Sequence, residues 1–207
     1  MTPSQVCDRL IAQRVVPVLR MASAAQTQEA VGCLHDAGFR VFEITMTTPG
    51  AVELIGDLSA ARLDSVIGAG TVLDLEAGKR CLDAGARFLV SPCLVDGLPA
   101  LAHGAGCAAL VGGFTPSEVF AAHREGADIV KVFPASSGGP VHLGALHAVF
   151  PHIRLCPTGG VTAANMNEYF KAGAALVGVG NNIVDAQALA RGDRAAVVAH
   201  AARFLDT

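Results

Sequence analysis

One local pattern recurs along this chain and limits its fold more than any other feature. It appears at Asp36-Ala37-Gly38-Phe39-Arg40, Asp83-Ala84-Gly85-Ala86-Arg87, His103-Gly104-Ala105-Gly106-Cys107, Arg124-Glu125-Gly126-Ala127-Asp128 and Lys171-Ala172-Gly173-Ala174-Ala175. Each time an alanine-rich helical stretch runs into a glycine suited to the left-handed helix cap, and an apolar run follows at once. Helices handing over directly to buried strands are the units of parallel sheets. Hydrophobic period and flanking turn residues place strands at about 15–20, 40–45, 65–70, 87–91, 107–111, 128–133, 153–158 and 175–180. Helices then fall at roughly 24–37, 50–61, 74–84, 95–104, 116–125, 140–149, 163–172 and 183–204, with an extra one at about 3–13. Eight such units at a period of roughly 20–25 residues predict a closed (β/α)8 barrel with an added N-terminal helix, spanning 1–207 as a single domain. An open doubly wound sheet is the alternative, but no G-x-G-x-x-G follows the first strand.

Two charges break the apolar strands. Lys131 lies inside Asp128-Ile129-Val130-Lys131-Val132-Phe133-Pro134, and the other two lysines, Lys79 and Lys171, lie in polar helical contexts. Taking an ammonium out of water is costly, so burial favours a neutral amine, and a neutral amine is a nucleophile toward ketones. A lysine that pairs with a carboxylate or snorkels to a strand end is the bland alternative. Glu43, between Phe42 and Ile44, is the second anomaly. Strand alternation puts Ile129, Lys131 and Phe133 on one side, and Val41, Glu43 and Thr45 on one side. If both sets face the barrel axis, the two anomalies explain each other. A buried ion pair alone is poor evidence for stability, but a pair at a barrel mouth suits acid–base work.

In a (β/α)8 barrel the functional face is at the C-terminal ends of the strands. Here those ends carry Arg20, Glu43 with Thr45, Gly70-Thr71, Ser91-Pro92, Gly112-Gly113, Lys131 with Phe133, Thr158-Gly159-Gly160 and Gly180-Asn181. The loops after the last two strands, with Gly159, Gly160, Gly180 and Asn181, have the small residues a backbone needs to approach a phosphate, and Asn181 is expected to cap the last helix. Glycines that merely permit tight turns are the alternative there. His142, His147 and His152 are five apart, which spreads them around a helix, so no metal is expected.

Composition excludes other classes. With 52% hydrophobic and 16% charged residues and a net charge of −3, the chain has a sizeable core and no basic patch for nucleic acid. The apolar runs are too short to span a membrane, and the N-terminus lacks a signal-peptide pattern. Six cysteines without a C-x-x-C pair are expected to be reduced core residues of a cytoplasmic protein.

Gly68-Ala69-Gly70-Thr71-Val72, Ser91-Pro92, Lys131-Val132-Phe133-Pro134-Ala135 and Cys156-Pro157-Thr158-Gly159-Gly160-Val161, in this order, resemble the KDPG/KHG aldolase family, from Val15 to Gly180. The resemblance implies a metal-free, cofactor-free class I aldolase acting on a phosphorylated 2-keto acid. Lys131 would form a Schiff base with the pyruvate-derived ketone and Glu43 would shuttle protons. Thr71 and Thr158 would hold pyruvate and substrate hydroxyls or carboxylate, Pro92 and Phe133 would shape the pocket, and the assembly would be a homotrimer. Thr45 and Arg20 complete the expected substrate-binding set.

The chain departs from the family pattern at two points. The common run E-x-T-x-R is here Glu43-Ile44-Thr45-Met46-Thr47, and a threonine cannot supply the bidentate pair of an arginine. Arg20, at the end of the first strand, could reach the same carboxylate, as in the 6-phosphogalactonate branch, whereas Pro157-Thr158-Gly159-Gly160 looks like the gluconate branch. Asn181 stands where the gluconate enzymes are expected to have serine, which alters the phosphate contact. Three readings follow: cleavage of a 2-keto-3-deoxy-6-phospho sugar acid, cleavage of 4-hydroxy-2-oxoglutarate, or a phosphate-binding barrel that is an isomerase or binds a metabolite without catalysis.

Overall fold

The computed structural model describes residues 1–61 and 64–205. Eight parallel strands run in the order β7-β6-β5-β4-β3-β2-β1-β8: β1 (Val15–Leu19), β2 (Val41–Thr45), β3 (Val66–Gly70), β4 (Phe88–Val90), β5 (Ala108–Gly113), β6 (Ile129–Val132), β7 (Leu155–Pro157) and β8 (Val177–Val179). Bridges Leu155↔Ala174 and Thr158↔Gly178 join the two ends, closing a (β/α)8 barrel. The helices between strands are α2 (Ala24–Asp36), α3 (Ala51–Ala60), α4 (Leu75–Asp83), α5 (Leu98–Gly104), α6 (Pro116–Arg124), α7 (Gly139–Val149) and α8 (Met166–Lys171). The five junction glycines, Gly38, Gly85, Gly106, Gly126 and Gly173, all take positive φ, between 70° and 113°. Left-handed caps thus end five helices and return the chain to the sheet without a spacer.

The extra N-terminal helix, α1 (Pro3–Gln13), begins at a capping box in which Thr2 and Gln5 satisfy each other's backbone N–H groups. Its Val6, Cys7 and Leu10 are buried against Val41, Val66, Phe88, Ala108, Ile129 and Leu176 on the inward faces of the strands. The helix is therefore the floor of the barrel. The opposite strand faces, including Phe42, Ile44, Val130 and Val132, join a separate layer beneath the surrounding helices. This is the alternation expected for β2 and β6, with Val130 and Val132 turned toward the helices.

The C-terminal part differs from expectation. In place of one helix over 183–204 there are two, α9 (Ala186–Ala190) and α10 (Arg194–Ala202), separated by Arg191-Gly192-Asp193 with Gly192 at φ 69°. Asn181 caps neither. Asp185 accepts from the N–H groups of Gln187 and Ala188, and Asp193 accepts from that of Ala196. Two aspartates, each with a free helix N-terminus to neutralise, outcompete one continuous helix. Asn181 starts a short 3-10 turn, Asn181–Ile183, instead.

Leu10 is completely buried in the floor. Leu10→Ala is expected to lower unfolding free energy by about 2–5 kcal/mol through lost burial and an unfilled cavity, measurable as a fall in the urea midpoint.

Candidate active site

In an eight-stranded ring β2 and β6 stand opposite each other. Glu43 on β2 and Lys131 on β6 both point inward, and their side chains cross the lumen to meet, Lys131 Nζ lying 3.9 Å from Glu43 Oε1. Glycine makes the space. A Cβ at Gly70 on β3 would overlap the Glu43 carboxylate, one at Gly112 on β5 would overlap the main chain of Pro92 and Cys93, and one at Gly178 on β8 would overlap the Thr158 side chain. The inward positions near the mouth thus lack side chains where the functional groups need room.

Glu43 is 3% exposed and Lys131 5%. Burial pushes the Glu43 carboxyl above its ordinary value, and the charges of Lys131 and Arg20 oppose that shift. At 3.9 Å the ion pair is too long to be a hydrogen bond, and Glu43 Oε1 has no hydrogen-bond partner among the described residues. The carboxyl is thus placed to exchange protons with whatever forms at Lys131.

Above the pair opens a cavity of about 470 Å³. Its walls include Lys131 and most of the expected binding residues: Arg20, Thr71, Pro92, Phe133, Thr158, Gly159, Gly160, Gly180 and Asn181. Arg20 directly follows β1 at the exposed rim and is the second basic residue of the lining. Thr71 has φ 59°, a costly conformation for a β-branched residue, and its neighbours pin it, Val72 N–H donating to Val90 O and Met46 N–H to Gly70 O. The loop after β6 is tied to that after β7 by Ala135 N–H donating to Thr158 O and Ser136 N–H to Gly159 O. Gly159 and Gly160 follow with φ of 93° and 78°. Consecutive left-handed residues at a strand end form a concave backbone of the kind that receives anions.

Thr45 sits apart from the other expected binding residues. It does not line the cavity; its buried hydroxyl donates to Leu19 O and lies 3.0 Å from Thr47 Oγ1, so it latches β2 to β1. Glu43 lies beneath the cavity, reached through Lys131. Sequence reasoning missed Val18, Val161 and Asn182, which also line the cavity. Asn182 donates to Val161 O at 3.4 Å, and it adjoins a run already singled out. Cys156, paired in register with Lys131 on the neighbouring strand, is buried, and burial pushes its thiol up to about 12. Strand alternation from Thr158 would have found it.

The chain matches the family model for KDPG and KHG aldolase over residues 6–200. It belongs to that family of carbon–carbon lyases. It is 38% identical over 157 residues to the 2-dehydro-3-deoxy-phosphogluconate aldolase of Pseudomonas aeruginosa, covering 75% of this chain and 71% of that one. It is 33% identical over 171 residues to a probable 2-dehydro-3-deoxy-6-phosphogalactonate aldolase of Rhizobium meliloti, covering 82% and 81%. Among solved structures, the KDPG aldolase of Legionella pneumophila, which captured pyruvate as a covalent carbinolamine intermediate, is similar with a TM-score of 0.86 and 29% identity, covering 95% of this chain and 96% of that one.

Because the folded family member holds the Glu43 proton more tightly than its unfolded chain does, protonated Glu43 contributes stability that is full below the ordinary value of 4.5 and lost as pH rises through the raised value. Glu43→Gln is therefore expected to flatten the decline in stability above pH 4.5, read from urea midpoints across pH. Gly70→Ala, which displaces the carboxylate, is expected to lower kcat by about 10²-fold with a smaller change in KM.

Proposed function

We propose that this protein is a class I aldolase that cleaves a 2-keto-3-deoxy-6-phospho sugar acid to pyruvate and glyceraldehyde 3-phosphate, with Lys131 as the Schiff-base nucleophile. The observation that carries the reading is Lys131 and Glu43 buried together, 3.9 Å apart, under a cavity at the C-terminal mouth of the barrel.

Lys131 Nζ adds to the C2 ketone, and loss of water gives a protonated imine. The C3–C4 bond then breaks, its electron pair flowing into the imine to form an enamine, while the C4 hydroxyl gives up its proton and leaves as the aldehyde. Protonation of C3 and hydrolysis of the imine release pyruvate and restore the amine. Glu43 serves as the proton carrier for dehydration and enamine protonation, a role that its raised protonation range suits. Thr71 and Thr158 would position the pyruvyl carboxylate and a substrate hydroxyl, and Arg20 would take a carboxylate in place of the arginine absent at Thr47. Gly159, Gly160, Gly180 and Asn181 would receive the phosphate through main-chain N–H groups and one amide.

Cleavage of 4-hydroxy-2-oxoglutarate to pyruvate and glyoxylate is the second reading. It is favoured by the absence of a cationic side chain among the lining residues of the loops after β7 and β8. We further read the assembly as a homotrimer, with Phe120 and Val149 among the exposed apolar side chains it could cover. The compartment we assign is the cytoplasm, in keeping with six free cysteines, five of them buried. No helix among the described residues is long and apolar enough to cross a membrane.

Borohydride reduction in the presence of pyruvate, followed by peptide mass mapping, tests the reading. A pyruvyl adduct on Lys131, absent from Lys131→Met, is expected; a saturated protein with no adduct there would overturn it. Glu43→Gln is expected to lower kcat by about 10²–10⁴-fold. Rates with the gluconate-derived and galactonate-derived substrates then assign the C4 configuration.

A further inference from the structure

The N-terminal face of the barrel, opposite the mouth, carries a second cavity of about 430 Å³ lined by Arg9, Arg14 and Arg40. All three guanidinium-bearing residues are half-buried, in a chain whose net charge is −3. From this gathering of cations we infer a binding site for a small multivalent anion carrying phosphoryl or carboxylate groups.

The base of the cavity is rigid. Gln13, at the end of α1, donates to the carbonyls of Val15 and Val41 at 2.9 and 3.1 Å. Its Oε1 accepts from the backbone N–H groups of Arg40 and Val41 at 2.6 and 2.8 Å. One side chain thereby fixes the beginnings of β1 and β2, and with them the chain positions of Arg14 and Arg40.

Each guanidinium is anchored on one side and has donors left over. Arg40 uses Nη1 to donate to His35 O and Phe39 O at 2.8 and 2.7 Å. Among the described residues its Nε and Nη2 make no hydrogen bond. Arg14 stacks on Phe170, its guanidinium carbon 4.1 Å from the ring centroid, and its side chain makes no hydrogen bond among the described residues. Its backbone lies at φ 64°, held there by its N–H donating to Ile11 O and its carbonyl accepting from Val177 N–H. A non-glycine residue kept in so sparsely populated a conformation marks a position the surrounding structure over-determines. Arg9 Nη2 donates to Asp64 O at 3.2 Å and meets Asp64 Oδ1 at 3.5 Å, a long contact to a well-exposed carboxylate. Asp8 faces an adjoining groove shared with Arg9.

Three fixed, partly desolvated guanidiniums facing one loosely held carboxylate repel one another, and a bound polyanion relieves that repulsion while using the unfilled N–H donors. Monovalent anions satisfy one guanidinium at a time; a di- or trianion bridges them, which is why the ligand class is multivalent.

Isothermal titration of the full chain with pyrophosphate, and separately with citrate, tests the site. Saturable binding of one or both is expected, weakened at least about tenfold by Arg9→Met and by Arg14→Gly, and unchanged by Asn181→Ala on the opposite face. The tighter of the two anions identifies phosphoryl or carboxylate chemistry. Urea midpoints confirm that each variant is folded before titration, and Arg14→Gly also removes the backbone strain. The inference is overturned if neither anion gives a saturable heat, if affinity is the same in both arginine variants, or if Asn181→Ala is the variant that weakens it. None of these results bears on the pyruvyl adduct at Lys131, so this site and the aldolase reading stand or fall separately.

Discussion

The contact on which the site depends is between two side chains from opposite sides of the barrel, Glu43 and Lys131, meeting in the lumen at 3.9 Å. A charge in a parallel-sheet interior is unfavourable on its own, and removing one partner would leave the other uncompensated. The pair is nevertheless not optimised as an ion pair. It is long, Glu43 Oε1 lacks a hydrogen-bond partner among the described residues, and burial outweighs the two nearby cations in setting the carboxyl's protonation. A pair selected for stability would be short and fully hydrogen-bonded. One held apart, beneath an open cavity, has groups left to react, which is what imine formation and proton exchange require under the proposed mechanism.

The fold accommodates this arrangement through two features of one pattern. Alternation along each strand separates an inner column from an outer column, so a strand can pack Phe42 and Ile44 against helices while aiming Glu43 inward. Glycine then thins the inner column toward the mouth. At the floor the same column carries Val41, Val66, Phe88 and Ile129, packed on α1. The lumen thus changes from filled to hollow along its axis, and apolar packing beneath supports the reactive pair above.

This division explains what the sequence could show. The helix–glycine–strand junctions are local, each set by a handful of neighbouring residues, so the eight units, the N-terminal helix and the barrel were legible, as were the inward lysine and glutamate. The bond from the Thr45 hydroxyl to Leu19 O was not legible, because alternation gives a side chain's face but not its nearest acceptor, and Leu19 O lies on another strand. The break between α9 and α10 turns on a competition between Asp185, Asp193 and a continuous helix, which composition alone does not decide. Cys156 is legible from Thr158 by the same alternation, but its apolar neighbours in the sequence are those of a packing cysteine. Asn182 and Val161 join the cavity through a contact between two different loops, which no local pattern encodes.

The charges around the cavity bear on what it can hold. Arg20 is a cation of its lining, and under the proposed mechanism the protonated imine at Lys131 places a second positive charge there. A phosphorylated keto acid brings a carboxylate beside that imine and a phosphate at its far end. The loops after β7 and β8 line the far end with glycine backbone and asparagine amides, whose dipoles are fixed in place but carry no full charge. If Arg20 pairs with the carboxylate, the phosphate depends on those dipoles alone. If Arg20 turns toward the β8 loop, the carboxylate depends on Thr71, Thr158 and the imine charge. A guanidinium forms its strong bidentate pair with one anion at a time, so under the proposed mechanism a threonine at Thr47 would leave the two ends of the substrate to compete for one residue. Under the proposed mechanism, selectivity between long phosphorylated and short dicarboxylic substrates would therefore be decided at Arg20, at the rim, while the chemistry beneath it at Lys131 and Glu43 would be common to both.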